Sequence, residues 1–166
     1  MNEEFNTIIN SLINNEKVKE MKNYRQHCNT SCYDHSYSVA YLTYKISKKL
    51  NLDYVSATRG AMLHDLFLYD WRKSKRFNFH AFKHGKIAYL NAKKEFDLND
   101  IESDMIIKHM WPITIKPPKY KEGFVLTIAD KVCASKEILN SFVVFLNDNP
   151  VVRYAYLFYV FVFKNF

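Results

Sequence analysis

The chain has 166 residues, 48% of them hydrophobic, with only three glycines and four prolines. That length suits one domain, and so few breakers suit long helices and exclude a sheet-rich fold of many tight turns. The formal charge of +7 is compatible with anionic partners, but Lys45, Lys48, Lys49, Lys93 and Lys94 are scattered over outer helix faces. No helix carries a basic and aromatic stripe, so no specific nucleic-acid partner is expected.

Residues 3–22 are expected to open the chain as one helix, with Phe5, Ile8, Ile9, Leu12 and Ile13 at helical spacing. A polar stretch over 23–33 follows. From about Asp34 a helix carries His35, Val39, Leu42, Ile46 and Leu50 as one stripe and ends at Asn51. Asp53 is the expected N-cap of a helix that runs through Val55, Ala57, Ala61, Met62 and Leu63 into His64-Asp65. Residues 66–80 read as an aromatic and basic loop, with Phe67, Tyr69, Trp71, Phe77 and Phe79 among Arg72, Lys73, Lys75 and Arg76.

The next helix carries His80, His84, Ile87, Ala88 and Leu90. Asn99 caps another, with Glu102 at the capping-box position and Met105, Ile106 and His109 on one side. Trp111-Pro112 stops it, and Pro117-Pro118 closes the loop that follows. A helix over 120–140 carries Leu126, Ala129, Asp130, Cys133 and Glu137. Pro150 sets off an apolar segment, 150–166. It contains Arg153 and is shorter than the ~20 residues of a spanning helix, so it is expected to pack on the bundle or on a second copy in a homo-oligomer. Three cysteines behind an acidic, polar start (Met1-Asn2-Glu3-Glu4-Phe5) suggest free thiols in a reducing cytoplasm. Cys28 and Cys32 lack a second pair of ligands nearby, and Cys133 is expected to pack.

The chemistry lies in one ordered series: His35, His64-Asp65, His84, His109 and Asp130. A lone histidine on an apolar stripe is usually a satisfied core residue, and His35 by itself would be one. Asp65 and Asp130 are different, because each follows an apolar run and aspartate is almost never fully buried unless paired or metal-bound. A divalent cation best offsets the desolvation of such a set. Adjacent His64 and Asp65 project about 100° apart, so both reach one ion only at a helix end. A carboxylate there has two oxygens and can bridge two ions.

The segments Tyr33-Asp34-His35-Ser36-Tyr37-Ser38-Val39-Ala40, Gly60-Ala61-Met62-Leu63-His64-Asp65 and Thr127-Ile128-Ala129-Asp130-Lys131 resemble, in order, the motifs of the HD superfamily of metal-dependent phosphohydrolases. The resemblance covers roughly residues 25–140. It implies an all-α fold, an HD-domain helical bundle formed as a single domain over 1–166, with His35, His64, Asp65 and Asp130 as ligands of one ion. Lys83-His84-Gly85, read as the approach to a helix, and Ile107-Lys108-His109 sit where two-metal members place two more histidines. This layout is similar to that of symmetrical diadenosine tetraphosphate hydrolases, and it implies a second ion at His84 and His109, bridged by Asp65 and ~3.5–4 Å from the first.

The Gly and Lys that many two-metal relatives carry after the HD pair are replaced by Leu66-Phe67-Leu68-Tyr69. Arg72, Lys73 and Lys131 are therefore the candidates for neutralising phosphates. His27 and His80 are candidates near the substrate. Trp71 and Trp111 are candidates for stacking a base, with core or lid packing as the equal alternative. Mixed His/Asp ligation admits Fe, Mn, Co, Ni, Zn or Mg. The implied function is hydrolysis of a phosphoester or phosphoanhydride of a nucleotide or dinucleoside polyphosphate by metal-activated water, with Asp65 and His64 at the chemistry. The alternative is a non-catalytic metal or nucleotide sensor on the same scaffold.

Overall fold

Asn15 divides the expected opening helix in two. Its side chain accepts from the backbone N–H of Lys17 and Val18, so that α1 (Glu3–Ile13) gives way to the short α2 (Glu16–Glu20). The computed structural model describes residues 3–72 and 80–164. Lys73, Lys75, Arg76, Phe77 and Phe79 lie outside the described residues. Among those described, a 3-10 turn at Met21–Asn23 follows, and the remaining α-helices are α3 (Cys32–Lys49), α4 (Tyr54–Leu63), α5 (His80–Glu95), α6 (Asp100–Lys108), α7 (Lys121–Asp148) and α8 (Pro150–Lys164), with no strand. The fold is all-α.

Helix starts follow the caps. Ser31 accepts from the Asp34 N–H (3.1 Å) and starts α3 two residues before the expected point. Asp53 accepts from the Ser56 N–H (3.0 Å). Asn99 and Glu102 form a full capping box, at 2.8 and 3.1 Å. These bonds satisfy donors that a helix start leaves unpaired.

The buried face of α3 is wider than one stripe. It holds Cys32, His35, Ser36, Val39, Ala40, Thr43, Tyr44 and Ser47, whereas Leu42 and Ile46 are half-buried and Leu50 is exposed. The reason is that α3 packs on both α4 and α7. Small residues serve such a doubly covered helix, because they let two neighbours approach at once. The same logic governs α4, which touches α1, α3, α5, α6 and α7 and buries Ser56, Ala57, Thr58, Gly60, Ala61, Met62 and Leu63. Around it the core is filled by Phe5, Ile9, Leu12, Leu66, Phe67, Met105, Ile106 and Leu126.

Helix α7 runs past the expected end near 140. Pro150 then starts α8, where its missing N–H costs nothing. α8 packs on α7, with Phe142 edge-on to Tyr156 at 5.7 Å. No helix among the described residues is long and apolar enough to cross a membrane.

Candidate metal centre

All six residues of the series meet at one end of the bundle. His35 lies in the first turns of α3, and Asp130 lies midway along α7. His64 and His109 are the C-caps of α4 and α6, and Asp65 is the residue after the first of these caps. His84 lies one turn inside α5, so Lys83-His84-Gly85 is helical and does not precede a helix.

The caps orient the rings. A helix end leaves its last carbonyls without amide partners. His64 Nδ1 donates to the Ala61 carbonyl (2.7 Å) and His109 Nδ1 to the Ile106 carbonyl (2.9 Å). His84 Nδ1 donates to the His80 carbonyl (2.9 Å). In the neutral form of each ring the lone pair is thereby left on Nε2, and all three Nε2 atoms face Asp65. His64 Nε2 is 3.3 Å from Asp65 Oδ2, while His84 and His109 Nε2 are 3.3 and 3.7 Å from Oδ1. On the other side His35 Nε2 lies 3.0 Å from Asp130 Oδ1, which is 3.8 Å from His64 Nε2.

These positions fit a divalent cation. His64 Nε2 and Asp65 Oδ1 are buried with no hydrogen-bond partner. His84 and His109 Nε2 lie 2.8 Å apart. Because both Nδ1 atoms carry hydrogens, two lone pairs would oppose each other there unless a proton or cation lay between them. Donor atoms of His35, His64 and Asp130 fall within 4.8 Å of one another, as do those of His64, Asp65 and His109. Imidazole and carboxylate donors in such groups are a metal-binding set.

A close approach of helices makes this meeting feasible. A Cβ on Gly85 would lie 2.9 Å from the Ile106 carbonyl oxygen and 3.0 Å from that of Ile107. Bare backbone of α5 therefore rests on the last turn of α6, and His84 and His109 are brought together beside that contact.

The electrostatics follow from burial and pairing. Burial would raise Asp65 and Asp130, yet His64 and His84 hold the first well below the usual carboxylate range, and His35 and His64 do so for the second. Burial, then His84 and His64, push His109 down to about 3, so its ring is neutral at physiological pH. Burial would lower His35, but Asp130 and Glu137 outweigh it and lift the group to about 9. Metal at Nε2 has to displace that proton. Affinity is therefore expected to rise, with proton release, between about pH 6 and about pH 9. The effect on the metal-free fold has the opposite sign. A group raised from 6.5 to about 9 contributes fully below its unfolded value and loses that contribution as pH rises through the folded one. Metal titrations in chelator-buffered solution across this range check the expectation, and an affinity independent of pH would contradict it.

A cavity of about 390 Å³ opens over the centre, lined by Gln26, His27, Trp71, His80, Met110, Ile113, Lys131 and Ala134 above Asp65, His84, His109 and Asp130. The His27 ring stands edge-on to His35 at 5.2 Å. His84, His80 and Trp71 form a ladder of near-parallel rings, with centroids 4.5 and 5.3 Å apart. The Tyr69 hydroxyl engages His80 Nδ1 at 2.8 Å, and burial, then His84, lower His80 to about 4. Arg72 lies over the Trp71 ring and donates to the Gln26 carbonyl (3.4 Å). Trp111 does not line the cavity. Its ring turns to Phe124 at 5.7 Å, because the turn after α6 presents Met110 and Ile113 on the cavity side instead. The Trp111 carbonyl accepts from Lys131 Nζ (3.2 Å).

Two further residues belong to the site. Gln26 Nε2 donates to Asp65 Oδ2 (2.5 Å), and its own Oε1 accepts from Cys32 Sγ (3.4 Å). Its position before the first motif was the only sequence signal for it. Glu137 Oε1 accepts from His35 Nδ1 (3.0 Å). The signal here was its spacing, seven residues after Asp130 and so two turns along the same helix face.

A protein-family model for the HD domain matches residues 32–135, more than half of the chain. No curated protein and no solved structure matches it. The family match spans all six residues of the centre in order, from His35 on α3 to Asp130 on α7. HD domains bind divalent metals and are typically metal-dependent hydrolases. With its buried His/Asp clusters and all-α fold, this chain belongs to the HD domain family.

Proposed function

We propose that the chain is a metal-dependent phosphohydrolase acting on a phosphoester or phosphoanhydride of a nucleotide or dinucleoside polyphosphate. His35, His64, Asp65 and Asp130 would hold one ion, and His84, His109 and the second oxygen of Asp65 another. The observation that carries this reading is the placement of Asp65. Its Oδ2 faces His64 while its Oδ1 faces His84 and His109, so its two oxygens address two different groups of donors.

Bound metal would supply Lewis acidity at a phosphoryl oxygen and a water acidified towards neutrality. The rest falls to the protein's own groups. Gln26 fixes the carboxylate plane of Asp65 through Oδ2. Trp71, Met110, Ile113 and Ala134 give the cavity apolar walls that suit a base and sugar and keep water out. Lys131 on the rim and Arg72 beside Trp71 supply positive charge for phosphate oxygens. His80, with Nδ1 engaged by Tyr69, has Nε2 left for a substrate oxygen.

The test is a phosphate-release screen over nucleotides and dinucleoside polyphosphates, with metal-free protein reloaded separately with Fe, Mn, Co, Ni, Zn or Mg. Release from at least one substrate, only in the presence of metal, is the expected result. Tight nucleotide binding without turnover under every metal would favour a sensor on the same scaffold.

A further inference from the structure

The histidines of the centre fix their second nitrogen in two different ways. His64, His84 and His109 each turn Nδ1 to an uncharged backbone carbonyl. His35 Nδ1 turns instead to a side-chain carboxylate. Its partner comes from another helix. Nδ1 meets Glu137 Oε1 at 3.0 Å while Nε2 meets Asp130 Oδ1 at 3.0 Å. The fully buried imidazole thus spans two carboxylates two turns apart on α7.

Glu137 has little else to do. Its side chain is 13% exposed, and Oε2 is buried with no partner among the described residues. A carboxylate held in this way is costly unless its one bond matters. It also lies beyond the last residue of the family match, at 135, and so outside the HD motifs.

We propose that Glu137 is a positioning residue of the metal centre, holding the proton of His35 on Nδ1 so that Nε2 presents its lone pair beside Asp130. The proposal rests on the metal-centre reading above. A carboxylate behind a ligating imidazole fixes its tautomer and orientation and strengthens it as a donor, and losing such a partner weakens metal binding about 10–100-fold. The competing role is a structural tie between α3 and α7. That role would show in thermal stability and leave metal affinity untouched.

Zinc affinity, measured by chelator competition, separates the two roles in wild-type protein, Glu137→Gln and Glu137→Ala. Both variants are expected to bind zinc more weakly with unchanged helical circular dichroism. Glu137→Ala should fall by about 10–100-fold, and Glu137→Gln by less, since its amide oxygen still accepts from Nδ1–H. Zinc affinity within about twofold of wild type in the folded Glu137→Ala protein would overturn the proposal. Imidazole nitrogen-15 NMR of zinc-loaded wild-type protein gives a second reading that needs no variant. His35 protonated at Nδ1 and metallated at Nε2 is expected, and metal on Nδ1 would overturn the proposal. Wild-type protein that takes up no zinc or other divalent metal would instead overturn the metal-centre reading itself.

Discussion

Asp65→Ala is expected to strip the protein of divalent metal and to lower phosphohydrolase activity by ~10³-fold or more, while the helical circular dichroism spectrum is retained. The side chain is 1% exposed, and its two oxygens face His64, His84, His109 and Gln26. Removing it takes the one carboxylate placed between the two groups of donors. It also takes from His84 the carboxylate that faces it and from His64 one of two, so the remaining imidazoles no longer form a charge-balanced set. Asp65→Asn preserves the volume and serves as the control for packing. It should lose activity almost as fully, because an amide is a poor bridging ligand. Metal content, activity and circular dichroism on the same preparations check the prediction. Asp65→Ala protein that keeps its metal and its rate would sink it.

His84→Ala and His109→Ala are expected to lower the metal content from about two ions per chain to about one, with a rate loss on the order of 10²-fold or more. These two rings approach each other at 2.8 Å and face the same Asp65 oxygen, whereas His35, His64 and Asp130 gather on the other side. Loss of either ring should therefore empty one position and spare the other. One ion in wild-type protein, with both variants near full activity, would reduce the centre to a one-metal HD site.

The parts of the centre that could be read from the sequence are those built by local rules. His64-Asp65 at a helix end followed from an apolar run that stopped, and the structure makes His64 a C-cap. Asp53, Asn99 and Glu102 announced their caps by residue type alone. What could not be read depends on how helices meet. The break at Asn15 uses a side-chain cap inside an otherwise continuous apolar period. The buried Ser36, Thr43 and Ser47 of α3 look polar and outward until α4 and α7 are both placed against it. Trp111 and Met110 are neighbours, and only the path of the turn decides which of them faces the cavity. Gln26 and Glu137 bond to Asp65 and His35, 39 and 102 residues away in sequence, separations over which no local pattern extends.

The most direct measurement is the metal content of wild-type protein after loading with excess divalent metal and removal of unbound ions. Two ions per chain are expected, one for each group of donors that Asp65 faces. A single ion would contradict the bridging role of Asp65, and protein that retains none would contradict the metal centre altogether.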